Sequence, residues 1–257
     1  MSLFYASSIN RLTALLEQNG GIYAASAVSL LHHFPGHTIS DLRAICERAL
    51  ADGIIAGYGH STASGTGSSR TVAIAAVDGP PLSGFRPGFN TLPDNALCYV
   101  ALHPDHEGRS VIAKFGRTNN PKNRRYSLFP HSQRPLEEKE MLTFASANAS
   151  QVEQVLRLAF SMLTVGGKNR QVMEYVRSPH FLGGSYRNLG REARELTMAL
   201  MVSATLMAID EIAALETIDR HDPAQRMRIS NRIVRRLHTE FDVHIVRTEA
   251  GHLSFSR

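Results

Sequence analysis

From Cys98 to Arg125 the chain reads CYVALHPDHEGRSVIAKFGRTNNPKNRR, an order that sets one Tyr, one Lys and one Arg beside a glycine. Two apolar runs of strand length flank a polar turn, so Cys98 to His103 and Ser110 to Phe115 are expected as a hairpin closed by Asp105 to Arg109. Asn120-Pro121 then opens a helix, because proline is tolerated in a first helical turn. That helix carries Lys122, Arg124 and Arg125. The segment therefore predicts a strand pair feeding a short basic helix, with Tyr99, Lys114 and Arg124 close to Gly116.

Downstream, Met141 to Ala145 is expected as a third strand. Ser150 begins SQVEQVLRLAFSML, whose Val152, Val155, Leu156, Ala159, Phe160 and Leu163 recur at helical spacing. Upstream, apolar Ile9, Leu12, Leu15 and Leu16 predict a helix over 7–19, ended by Gly20-Gly21. A short helix is expected over 25–33, and a third from Ser40 to Gly53. Ile54 to Tyr58 and Arg70 to Val77 then read as strands around a Gly/Ser/Thr turn. Asp78 to Asn95 holds four prolines and is expected as a linker. Toward the C-terminus, Arg191 to Glu216 reads as an apolar helix and Asp222-Pro223 starts another. Residues 241–246 and 252–255 read as a hairpin.

Composition narrows the class. Hydrophobic residues make up 43% and charged residues 20% of 257, as in an ordinary globular chain. The most apolar stretch, Met198 to Leu215, is interrupted by Asp210 and Glu211, so it predicts a buried helix and no membrane span. The opening MSLFYASSINR lacks a signal-peptide layout, and the two cysteines, Cys46 and Cys98, suit a reduced compartment. A cytoplasmic protein is expected. A net charge of +5 permits a polyanionic partner. The charge is clustered: Arg109, Lys114, Arg117, Lys122, Arg124 and Arg125 crowd one stretch, and Arg226, Arg228, Arg232, Arg235 and Arg236 another.

The central segment resembles the GIY-YIG nuclease superfamily in its divergent phage-type form. CYV stands in place of the first motif and Lys114-Phe115-Gly116 in place of the second, within KFGRTNNP. Arg124 lies where that family keeps its helix arginine. Glu153, in QVEQVLRLAF, matches its metal-binding glutamate, and Asn169 falls where a supporting asparagine often lies. The first motif lacks its glycine and the second its tyrosine. The resemblance implies catalytic roles for Tyr99, Lys114, Arg124, Glu153 and Asn169, with Mg²⁺ or Mn²⁺ on Glu153. Phosphodiester hydrolysis builds negative charge on phosphorus, so a fixed guanidinium and one divalent cation suit it.

Three short helices followed by a glycine-rich hairpin, residues 7–78, resemble a winged helix-turn-helix. That resemblance implies Arg43, Arg48 and Arg70 as DNA contacts, joined by Arg117, Asn119, Lys122 and Arg125 from the central segment. The expected fold is α+β: a winged helix over 1–78, a linker over 79–96, a small mixed sheet with helices over 97–178, and a helical extension with a β-hairpin over 179–257. The expected function is sequence-specific, restriction-type cleavage of double-stranded DNA, with a homodimer able to cut both strands. The rival expectations are a non-catalytic winged-helix regulator with a degenerate core and an RNA-directed nuclease.

Two features are set aside. Gly21-Ile22-Tyr23 spells the first family motif, but Leu31-His32-His33-Phe34 occupies the place of the second, so it is expected as the connection between two helices. Adjacent histidines on a helix point about 100° apart and rarely share an ion. His32, His33 and His37 are therefore expected not to form a metal site, nor are His103 and His106.

Overall fold

The local rules act first on the N-terminal helix, α1 (Leu3–Gln18), whose Tyr5, Ser8, Leu12, Leu15 and Leu16 fall on one buried face. The computed structural model describes residues 3–61, 71–89, 97–102, 112–129, 134–161, 175–177, 186–241, 244–247 and 253–256. Among these are seven α-helices and ten strands, and the chain divides into two compact units.

The first unit comprises 1–92 and 216–225. After α1 come β1 (Ile22–Ser26), α2 (Ala27–His32), α3 (Ile39–Ala51), β2 (Ile55–Ser61), β3 (Thr71–Ala76) and β4 (Phe85–Pro87). The strands form one antiparallel sheet in the order β1-β3-β2-β4. Leu12, Leu30, Phe34, Leu42, Ile45 and Ile74 join the helices to the sheet in a single apolar core. Helix α3 starts on a capping box in which Thr38 and Asp41 satisfy each other's backbone N–H groups, an arrangement that contributes about 1 kcal/mol. Asp41 is also buried against the returning segment: its Oδ1 lies 3.0 Å from His221 Nδ1, at the end of a 3-10 turn over Asp219–His221.

Two expectations change here. Ile22 and Tyr23, read as a connection, begin β1, which pairs with β3 from Ile22↔Ala75 to Ser26↔Thr71. The described part of the expected linker, 79–89, belongs to the first unit: β4 pairs with β2, and Phe89 is buried in the core. Proline disfavours interior strands, but at this sheet edge Pro87 needs no outward N–H. Gly59 allows the approach, since a Cβ there would lie 2.4 Å from the Arg86 carbonyl oxygen.

The second unit holds 93–215 and 226–257. Its elements are β5 (Leu97–Leu102), β6 (Ile112–Thr118), α4 (Pro121–Ser127), β7 (Met141–Phe144), α5 (Ala149–Ser161), β8 (Tyr175–Arg177), α6 (Tyr186–Ala213), α7 (Pro223–Phe241, from Arg226 onward), β9 (His244–Arg247) and β10 (Leu253–Ser256). The main sheet runs β7-β5-β6-β8, and β9 and β10 form a separate hairpin. All its described pairings are antiparallel, where a mixed sheet was expected.

Strand alternation divides this sheet into two faces. Cys98, Val100, Leu102, Ala113 and Phe115 face α5, with Phe115 and Phe160 rings 5.4 Å apart. Met201, Ala204, Ala208 and Ile212 of α6 and Ile229, Ile233 and Leu237 of α7 complete the same core. The expected helical extension is thus not a separate body, because α6 and α7 supply much of the apolar cover this sheet requires. Tyr99 and Ala101 face the other way, into a smaller cluster with Leu128, Phe129, Leu136 and Met141.

Candidate functional site

Tyr99 and Gly116 stand directly opposite each other on β5 and β6, with Ala101 opposite Lys114 on the same face. Across this pair the tyrosine ring lies over the glycine. A Cβ on Gly116 would come within 2.7 Å of the hydroxyl oxygen and 2.9 Å of the ring carbon that bears it. Glycine is therefore required here as clearance for a neighbour and not as a turn.

Helix α4 delivers the third member. Thr118 Oγ1 accepts from Asn120 N at 3.1 Å, and Asn120 Oδ1 accepts from Asn123 N at 3.0 Å, so the helix start is pinned to the end of β6. Pro121 occupies its first turn. Arg124, one turn on, then reaches back over the sheet. Its Nη2 and Nε donate to the Tyr99 hydroxyl at 3.0 and 3.3 Å, and the guanidinium carbon lies 5.5 Å from the ring centroid. A guanidinium carries five N–H donors, so most of Arg124's remain to hold an anion.

Tyr99 itself is only 1% exposed. A short polar lock lies beside its apolar surroundings: Arg134 grips Glu140 through two bonds of 2.8 and 2.7 Å, and Arg125 Nη1 meets Glu138 Oε1 at 3.1 Å. A bidentate guanidinium–carboxylate pair is geometrically demanding, so it holds the 134–140 segment in one conformation.

Glu153 does not join this group. It projects from α5 on the helix-covered face, where Arg117 Nε lies 3.2 Å from Oε2 and Arg157 Nη2 3.4 Å from Oε1. Arg117 stands opposite Cys98, one register step from the Tyr99–Gly116 pair and so on the reverse side. Burial, reinforced by the Glu153 charge, pushes the Cys98 thiol up to about 12. Tyr99, Lys114 and Arg124 thus share a face, and the expected metal carboxylate lies on the opposite one. The cause is parity: Cys98 and Arg117 precede and follow their neighbours by one residue, and a single step inverts the face.

The expected DNA contacts divide similarly. Asn119 and Lys122 are exposed at the start of α4, whereas Arg117 and Arg125 are engaged by Glu153 and Glu138. On α3, Arg43 pairs with Glu47 at 2.7 Å and Arg48 with Asp52 at 3.0 Å. Asp52 also accepts from the Tyr5 hydroxyl at 2.9 Å, and its carboxyl is held below the usual range by the Arg48 and Tyr5 hydrogen bonds. Arg70 and Asn169 lie outside the described residues, as do His103 and His106. His33 packs edge-on against Tyr23, and His37 stacks on Phe4. No three His, Cys, Asp or Glu side chains converge as a metal-ligand set among the described residues.

The Glu153–Arg157 spacing of four residues was visible as a helical ion pair. Nothing local announced Arg117 as the second partner. No family model, curated protein or solved structure matches this chain. Among the described residues, no helix is long and apolar enough to cross a membrane.

Proposed function

We propose that this chain is a cytoplasmic DNA endonuclease that grips the scissile phosphate with Arg124. The observation carrying the reading is the convergence of Tyr99, Gly116 and Arg124. Tyr99, Gly116 and Arg124, separated in sequence, meet on one face, while Glu153, which the nuclease resemblance groups with them, lies on the other. Arg124, oriented by the Tyr99 hydroxyl and with donors to spare, suits a phosphoryl group gaining negative charge. Lys114, on the same face, adds a second cation.

In the first unit, the order helix, strand, helix, helix, strand, strand and the strand arrangement β1-β3-β2 support a winged-helix reading. Such a module would bring the enzyme to duplex DNA, and two copies would be needed to cut both strands. The resemblance also implies Mg²⁺ or Mn²⁺. The carboxylate that the resemblance offers that ion does not fit it: Glu153 lies on the face opposite Tyr99 and is engaged by two guanidinium groups.

The same observation favours one alternative, a non-catalytic DNA-binding protein in which the Arg124 site only holds backbone. The burial of Tyr99 supports it, because a sealed hydroxyl is poorly placed to take a proton from water. Plasmid cleavage in Mg²⁺ and in Mn²⁺ separates the two. An endonuclease nicks or linearises the plasmid, and Arg124→Ala lowers the rate at least about a hundredfold. Intact plasmid across varied sequences and both metals removes the enzyme and leaves the regulator.

A further inference from the structure

The five arginines of α7 meet different fates, and the difference locates a surface. Arg226 is buried. Arg232 forms a two-bond pair with Glu211, and Arg236 pairs with Glu240 at 2.9 Å. Arg228 and Arg235 are exposed, and neither has an acidic partner among the described residues. Ile229, Ile233, Val234 and Leu237 place the opposite side of this helix in the core. At 100° per residue, Arg228 and Arg235 lie almost diametrically away from that buried stripe, on a single outward line.

Seven residues separate them, about 10 Å along the axis at about 1.5 Å per residue. Exposed arginines at (i, i+4) to an acidic side chain can be neutralised by it, as Arg43, Arg48 and Arg236 are here. Two consecutive outward positions kept free of acids make a line of uncompensated positive charge. It belongs to a chain of net charge +5.

We propose that the outward line of α7, anchored by Arg228 and Arg235, binds the phosphate backbone of duplex DNA. The proposal deepens the DNA-directed reading above and rests on it. It moves non-specific grip away from α3, whose arginines are held by their own helix, to the second unit. Because α7 covers the sheet face opposite Tyr99, this is a contact surface separate from the Arg124 site. Guanidinium groups suit phosphate oxygens, and each neutralised phosphate releases condensed counterions, which makes the contribution measurable as salt dependence.

The test is fluorescence anisotropy of a labelled duplex titrated with the full chain at several salt concentrations. Arg228→Ala/Arg235→Ala should lower the slope of log affinity against log salt by about 2 and weaken binding roughly tenfold or more near 0.1 M salt. Neither side chain has a partner to lose, so the melting temperature should stay unchanged. Arg236→Ala should move the slope less, because Glu240 already neutralises it. An unchanged slope in the double variant overturns the proposal, and so does structured RNA that outcompetes the duplex. A wild type that binds with the expected slope but never cuts leaves this surface standing and sinks the endonuclease. A wild type that cuts while the double variant keeps its slope does the reverse.

Discussion

The two faces of the β7-β5-β6-β8 sheet are built from alternate residues of the same strands, yet they obey different physics. On one face, Val100, Phe115 and Phe160 are packed by three helices, and at its margin Glu153 lies between Arg117 and Arg157. On the other, Tyr99 and Ala101 have a thin apolar cover, and Arg124 reaches over Tyr99 with Lys114 on the same face. A protein that only needed to bury this sheet could have covered both sides alike. The Arg124 guanidinium, oriented by the Tyr99 hydroxyl, is what makes the thin side a candidate for an anionic ligand, whereas Arg117 and Arg157 on the thick side are engaged by Glu153.

The largest effect should come from the thick face. Phe115→Ala removes a fully buried ring from against Phe160 and should cost about 3–5 kcal/mol in chemical denaturation. A loss near 1 kcal/mol would mean that this core is not tightly packed. Next comes Glu153→Gln, which leaves Arg117 without its counter-charge. About 2 kcal/mol is expected, below the figure for a fully enclosed pair because Arg157 is partly exposed. If this variant instead abolishes cleavage while melting normally, Glu153 serves a metal, and the contrast between the faces breaks.

On the thin face, Gly116→Ala forces a methyl group against the Tyr99 hydroxyl. It should cost about 1–3 kcal/mol and detach Arg124, so phosphate binding should fall with stability. Unaltered binding would show that Arg124 works without Tyr99. The smallest effect is chemical. The Cys98 thiol is raised to about 12, so the native protein should resist alkylation at pH 8–9, while unfolded chain reacts. The sign follows from burial: the stability this shift represents is complete below the ordinary thiol value of 9.0 and disappears as pH rises through the folded value. Glu153→Gln removes one charge that raises it, so alkylation should begin at lower pH in that variant.

Much of this was legible in order and spacing. The pair of β5 and β6 and the amphipathic α5 lie where apolar periodicity predicts them, and α4 where Asn120-Pro121 starts a helix. β1 was missed because IYAAS is too short to alternate convincingly and becomes a strand only when β3 pairs with it. The tail helices could be read as helices, but amphipathicity reveals a buried face and not what buries it. The proximity of Tyr99 and Arg124 could be anticipated across 25 positions, because a hairpin and a short helix leave little freedom.

By itself, then, the sequence determined the elements, the basic character of the chain and the closeness of Tyr99, Gly116 and Arg124, all of which depend on neighbours a few residues away or one hairpin across. Tertiary structure alone decided which charges remain available. Glu153 and Arg117 are drawn together from different elements, His221 crosses 180 positions to Asp41, and among the described residues Arg228 and Arg235 meet no acid while Arg232 finds Glu211. Charge pairing depends on distances of a few ångströms between residues remote in the chain, and residue order does not specify those until the core has packed.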